Sequence, residues 1–351
     1  MTLLTRRAFL KIAGLSALAA ATGCKAGETP DGQGAPTGLP AGATPVPAMV
    51  TLPPAPLEIV ITPQGELYVQ SYSEIASVDE MDWSLTLDGL VEYPRTLSYA
   101  DVLALPRVTE VRTLECIGNP VGGGLVGNVE WGGFYLKDLL DEVKVRPEAI
   151  RAKFTAADDY QTSVDLNWIT QPGVLMAYEI NGEPLAAEHG YPLRILMPGL
   201  YGQKMPKWIE RIEFIDKEFL GYWERNGWSD TADVQTNSII RQPENLQEVN
   251  AAETVPIFGI AFAGLRKITK VEVQVGDDET WREASLLQGD TPLIWTQWSF
   301  DWTAEKSGRT KIAVRATDEE GFVQSSTGGG LLQNAFPNGT TKIHSVVLRV
   351  G

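Results

Sequence analysis

Between Leu57 and Asn245 the apolar positions follow two periods, and neither dominates. Leu67–Gln70 and Trp83–Leu87 alternate apolar and polar residues as half-buried strands do. Val108–Leu114 is a β-leaning run that breaks at Cys116 into Gly118-Asn119-Pro120 and the triple glycine Gly122–Gly124. Ser98–Leu105 predicts a helix, with Ser98 as N-cap and Pro106 behind its end, and Tyr135–Val143 predicts a second. Strand-like runs return at Ile150–Ala156, Leu175–Ile180 and Arg194–Met197, with turns at Asn181-Gly182 and Pro198-Gly199. Strands and helices do not alternate strictly, so the region reads as α+β rather than doubly wound.

Beyond Thr254 helical periodicity disappears. Ile257–Ala261, Ile268–Gln274, Thr296–Trp302, Thr310–Thr317 and His344–Arg349 are short runs at even spacing, the pattern of an all-β sandwich. Trp281, Trp295, Trp298 and Trp302 are expected to fill its core. The expected division is a leader over 1–23, a linker over 24–56, a catalytic α+β domain over 57–246 and the sandwich over 247–351.

The leader and linker rest on composition. Thr5–Lys11 carries Arg6 and Arg7, an alanine-rich apolar run of about ten residues follows, and Ala21-Thr22-Gly23 precedes Cys24. A span would need about 20 apolar residues, so this reads as an export signal of twin-arginine type. A lipid on Cys24 would then tether the protein to a membrane surface on the periplasmic or other extracytoplasmic side. Lys25–Pro56 is Gly/Pro/Ala/Thr-rich without period and reads as a disordered tether. The chain has 351 residues, 43% hydrophobic and 21% charged, with a formal net charge of -16. Nucleic acid is excluded as a partner, because phosphate-backbone binding needs clustered Lys and Arg. No Gly-x-Gly-x-x-Gly and no P-loop occurs, which disfavours a dinucleotide or ATP enzyme.

Two stretches then carry the chemistry. Only 2 Cys are present, and Cys24 lies at the processing site, so Cys116 has no evident disulfide partner in an exported protein. It is either a reactive or metal-binding thiol or a small buried hydrophobe. Glu188–Trp208 gathers His189, Arg194, Lys204 and Lys207 in an otherwise acidic chain. Such a cluster suits a phosphate or pyrophosphate, or is a solvated edge with salt bridges.

Cys116 with Gly118-Asn119, the run His189-Gly190-Tyr191-Pro192-Leu193-Arg194, and Lys207-Trp208 together resemble the sulfite oxidase family of molybdopterin enzymes over about Leu57 to Gly351. The resemblance implies a sulfite-oxidase-like molybdopterin-binding domain followed by an immunoglobulin-like dimerisation domain, hence a homodimer. It implies a molybdenum ion on one pterin, ligated by Cys116. Tyr68, Ser71, Asn119, Asp158, His189, Arg194, Lys204 and Lys207 would hold the cofactor, with the backbone of Met205 and Pro206 against it.

The substrate side departs from the family's sulfite oxidases. Their substrate-binding arginine matches Gln70, the histidine two residues later matches Tyr72, and their active-site tyrosine matches Trp228 in YWERNGW. The expectation is a molybdenum oxidoreductase transferring an oxygen atom to or from a small substrate, Gln70 favouring a neutral one over a dianion. With no Cys-x-x-Cys-His motif and no iron–sulfur cysteine set, electrons would pass to or from an external carrier, a cytochrome or quinol-linked protein. The alternative is a surface-tethered binding lipoprotein with Cys116 in its core.

Overall fold

The computed structural model describes residues 52–276, 278–325 and 335–351. The expected leader, Cys24 and all but the last residues of the expected linker lie outside the described residues. Among the described residues no helix is long and apolar enough to cross a membrane.

Two five-stranded sheets build the first half. One runs Arg95–Ser98, Ser84–Gly89, Ile209–Ile215, Arg151–Ala156, Gln161–Asp165. The other runs Val108–Glu115, Val126–Tyr135, Leu175–Ile180, Glu183–Pro184, with Arg194–Leu196 also paired to Leu175–Ile180. Only Ser84–Gly89 with Ile209–Ile215 is a parallel pair here. The mixture of largely antiparallel sheets and short helices is the α+β class read from the sequence.

The first predicted helix is shorter than expected, Tyr99–Leu103. Its start is fixed by a reciprocal cap. Ser98 Oγ accepts from Asp101 N at 3.2 Å, and Asp101 Oδ2 accepts from Ser98 N at 2.9 Å. The second spans Leu136–Val143 and buries Leu136, Leu139, Leu140 and Val143, one face at helical spacing. The expected strand at Leu67–Gln70 is absent. Leu67 is buried and Tyr68 and Gln70 face a cavity, but Val69 is exposed, so the alternation of the sequence has no two-sided sheet behind it.

The second half is a sandwich of a four-stranded and a five-stranded sheet. All five predicted runs are strands, within longer spans: Thr254–Phe262, Ile268–Val275, Thr296–Thr303, Gly308–Asp318 and His344–Val350. The strand Asn237–Gln242 also joins the sandwich, antiparallel to Thr254–Phe262. Of the four tryptophans, Trp298 is core, its Nε1 donating to Ile260 O at 3.0 Å. Trp281 and Trp302 are only half-buried, and the guanidinium of Arg315 stacks over Trp281 at 4.3 Å. Trp295 is buried in a separate apolar cluster with Ile117, Val126, Tyr201, Ile239, Ile260 and Phe262, which welds the sandwich to the cysteine-bearing loop.

Candidate active site

A cavity of about 520 Å³ opens at the end of the strand Val108–Glu115. Its walls come from Tyr68–Tyr72, the loop after Cys116, the turn at Asp158–Tyr160, the Glu188–Arg194 and Gly202–Trp208 stretches, and Trp223 with Trp228. Its size suits a cofactor or drug-sized ligand.

At one end stands Cys116, free and half-buried. The Gly118 N–H donates to its sulfur, while burial and the neighbouring Glu115 push the thiol above its usual range. A thiolate there needs a cation beside it. Among the described residues no group of three or more His, Cys, Asp or Glu is arranged to hold a metal ion. A metal at this sulfur would therefore draw its other ligands from a non-protein group. Asn119, expected to touch that group, does not line the cavity. Its Nδ2 donates to Glu115 Oε1 at 2.9 Å and its Oδ1 accepts from Leu125 N at 3.0 Å, so both ends are committed to the loop. The glycines serve the loop as well. A Cβ on Gly123 would lie 2.4 Å from Asn119 Oδ1, and one on Gly122, at φ +72, would lie 2.2 Å from His344 Nε2.

At the other end are His189, Arg194 and Lys207. His189 Nε2 lies 3.0 Å from Gln64 O. A carbonyl only accepts, so Nε2 carries the proton. Burial and Arg194 hold the imidazole below its usual pKa, hence neutral, with Nδ1 left as an acceptor. Arg194 is 4% exposed and makes one hydrogen bond, Nη1 to His189 O at 3.1 Å; Nε is buried without a partner. Its face lies 5.1 Å from the Trp131 ring, and burial lowers its pKa to about 10. Lys207 Nζ donates to Ser71 Oγ and Glu188 O, both at 2.8 Å, and sits 4.3 Å from the Trp208 ring. Burial, then Arg194, lowers its pKa to about 8. Among the described residues neither cation forms an ion pair, although Asp158 and Glu188 lie near enough to Lys207 to favour its charge. Asp158 lines the cavity, its Oδ1 accepting from Tyr160 N, and burial raises its pKa.

Lys204 is not part of this set. It is fully buried outside the cavity lining, and Nζ donates to Glu224 Oε1 at 2.5 Å, Asp230 Oδ1 at 3.0 Å, Ser163 O at 3.0 Å and Thr162 Oγ1 at 3.3 Å. Two carboxylates satisfy the charge, and no N–H remains for a ligand. The expectation that it grips the cofactor is therefore corrected.

Gln70, Tyr72 and Trp228 line the cavity wall. Tyr72 packs edgewise on Tyr222 at 4.8 Å and against Tyr160 at 5.7 Å; Trp228 packs edgewise on Phe336 at 5.1 Å. Tyr160, Gln203 and Trp223 also line it and were not singled out from sequence. Trp223 sits in the same YWERNGW run as Trp228, whose backbone N–H donates to Trp223 O.

A buried guanidinium with an orphaned donor, a second cation outside any ion pair among the described residues and an imidazole acceptor fit an anionic, nitrogen-bearing group that ends near a thiol. The family comparisons agree. The model of the oxidoreductase molybdopterin-binding domain matches residues 72–223, and that of the Mo-co oxidoreductase dimerisation domain matches 229–336. Sulfite oxidase of Arabidopsis thaliana is 29% identical over 353 residues, 83% of this chain and 88% of that protein. The uncharacterized oxidoreductase YuiH of Bacillus subtilis is 36% identical over 159 residues, 45% of this chain and 78% of that protein. The crystal structure of the sulfane dehydrogenase SoxCD from Paracoccus pantotrophus superimposes with a TM-score of 0.70 at 25% identity, covering 83% of this chain and 84% of that one. None of these supports a non-enzymatic binding lipoprotein.

Proposed function

This chain belongs to the sulfite oxidase family of molybdopterin-dependent oxidoreductases, and on that premise we propose that it transfers an oxygen atom to or from a small, uncharged substrate. The observation that carries the reading is the pair of cations, buried Arg194 and half-buried Lys207, neither in an ion pair among the described residues, facing a cavity whose other end displays a thiol. Cys116 would ligate molybdenum. Arg194 and Lys207 would neutralise the pterin phosphate, and His189 Nδ1 would accept from a pterin N–H. Tyr68, Ser71 and Asp158 complete the lining of that side. When bound, the molybdenum–pterin group supplies two-electron oxygen chemistry. The protein's part is to fix the ligand sulfur, hold the anion and exclude water behind Tyr72, Tyr160, Trp223 and Trp228.

The substrate reading follows from charge. Gln70 offers an amide where a guanidinium would grip a dianion, and a charge-assisted hydrogen bond is worth roughly 1.5–3 kcal/mol. Sulfite is thereby disfavoured by about tenfold or more against a neutral oxide such as a dialkyl sulfoxide. Tyr72 and Gln70 each offer such an oxide a hydrogen bond. Electrons would be exchanged with a separate cytochrome or quinol-linked protein. We place the enzyme outside the cytoplasm, exported by the twin-arginine leader at 1–23 and tethered through a lipid on Cys24 and the linker at 24–56. The catalytic domain, expected over 57–246, would lend its last strand, Asn237–Gln242, to the sandwich expected over 247–351, whose family points to a homodimer.

Protein purified from a molybdenum-replete host is expected to carry about one molybdenum per chain and to release pterin on denaturation. Folded protein with neither would overturn the reading. Sulfite oxidation as efficient as sulfoxide reduction would overturn the substrate preference alone.

A further inference from the structure

Asn237 and Ile239 alternate along the first strand of the sandwich and share one face, and Arg241 follows them where the register slips at a bulge between Ile240 and Gln242. All three meet the loop that carries Cys116. Asn237 Nδ2 donates to Glu115 Oε2 at 3.0 Å. Ile239 packs in the cluster that holds Ile117 and Val126, the two flanks of the loop. Arg241 Nη1 donates to Gly123 O at 3.4 Å. A neighbouring strand adds His344. Its Nδ1 accepts from Ile240 N at 3.0 Å, which turns the opposite edge of the ring onto Gly122.

Glu115 is the hinge of this arrangement. It is 2% exposed and precedes Cys116 directly. Each carboxylate oxygen accepts one amide, Oε1 from Asn119 and Oε2 from Asn237. Asn119 in turn ties the two legs of the loop, where Cys116 N also donates to Leu125 O at 3.0 Å. The carboxylate has no room to turn without stranding a buried donor.

We propose that the strand Asn237–Gln242 is a positioning element for the Cys116 sulfur, and that Asn237, acting through Glu115, sets the direction in which the thiol points. The sandwich thus does work inside the active site, in addition to whatever it does between subunits. This rests on the reading of Cys116 as the metal ligand, but the bracing can be tested without the metal.

The test uses the full chain made in a host unable to synthesise the pterin, with alkylation of Cys116 by iodoacetamide followed on its own peptide by mass spectrometry. Asn237→Ala is expected to raise the alkylation rate roughly fivefold, as loss of one buried hydrogen bond allows. Arg241→Met, which removes the contact to Gly123 O from the bulge, is expected to raise it about twofold. Thr269→Ala, which removes a hydroxyl elsewhere in the sandwich, should leave it unchanged. In protein carrying molybdenum, Asn237→Ala is expected to shift and broaden the thiolate-to-metal absorption at unchanged metal content. Wild-type alkylation rates in both Asn237→Ala and Arg241→Met would overturn the proposal. If the wild type holds no metal, the proposed function fails while the alkylation result still decides the bracing. Should Asn237→Ala not fold, Glu115→Gln, which keeps the volume and one acceptor, is expected to raise the rate by an intermediate factor, and no change there would overturn it equally.

Discussion

Lys204 and Lys207 stand three residues apart on one stretch, both turned inward, and they solve the problem of a buried charge in opposite ways. Lys204 meets two carboxylates, Glu224 and Asp230, and is sealed from solvent. Lys207 meets a hydroxyl, a carbonyl and an indole face, with no carboxylate in ion-pair reach among the described residues. Arg194, at the same end of the cavity, repeats the second pattern. A buried ion needs a counter-ion or a polar partner set, or it destabilises the fold. A compensated cation is therefore architecture. An uncompensated one marks where an anion from outside completes the structure.

The largest expected effect separates the two lysines directly. Glu224→Leu leaves Lys204 with Asp230 as its remaining carboxylate and takes the acceptor from Thr162 and Gln203, and breaking such a buried set costs about 3–5 kcal/mol. Urea unfolding of the cofactor-free protein should show that loss. Lys207→Met in the same assay should be close to neutral, since it removes a half-buried cation that has no ion pair among the described residues and only the weaker pull of Asp158 and Glu188. Yet molybdenum and pterin content should fall about tenfold or more, because a charge-assisted contact worth roughly 1.5–3 kcal/mol is gone. Equal loss of stability in both variants, or full cofactor retention in Lys207→Met, would erase the distinction.

Arg194→Met should behave as Lys207→Met does, with a similar fall in bound pterin and no loss of stability in the cofactor-free protein. Its buried Nε without a partner makes the guanidinium a net burden when the cavity holds no anion. Destabilisation by more than about 1 kcal/mol would mean that the Trp131 stacking, not an anion, is what the residue serves.

A third effect is pH-dependent. Burial and Arg194 depress Lys207 from 10.5 to about 8. The unfolded chain then binds more protons than the folded one between about 8 and 10.5, so cofactor-free protein should gain stability as pH rises through that window. An anion favours the charged form and raises the pKa again. Pyrophosphate should therefore bind about tenfold more weakly at pH 9 than at pH 7. Calorimetric titration reads this, and Lys207→Met should abolish the difference.

The contrast between the lysines explains what could be read from the sequence. The charges at 194, 204 and 207 were visible as a cluster, but sequence does not say which carboxylates fold back onto them. Glu224 and Asp230 come from twenty and twenty-six residues downstream, and their pairing with Lys204 is a fact of packing. The same holds for Asn119, whose amide looked free until Glu115 and Leu125 closed on it. What was legible was local. Cys116 follows the strand end, the Ser98 cap carries its partner Asp101 three residues on, and the sandwich strands announce themselves by period. Leu67–Gln70 alternates in sequence only: Leu67 enters the core while Val69, its partner in the pattern, is exposed.

The smallest expected effect makes the same chemical cut at both lysines. Ser71→Ala removes the hydroxyl that accepts from Lys207 Nζ at 2.8 Å. Ser71 lines the cavity, so water or a bound anion can take the hydroxyl's place. Stability should change by less than about 1 kcal/mol, and pterin content should fall only about two- to fivefold. Thr162→Val removes the hydroxyl beside Lys204, where Oγ1 also donates to Glu224 Oε1 at 2.7 Å and the residue is fully buried. No water replaces it there, so the loss of about 1–3 kcal/mol should fall on stability, while pterin content holds. If instead Ser71→Ala weakened the fold and Thr162→Val released the pterin, the assignment of one lysine to the scaffold and the other to the ligand would have to be exchanged.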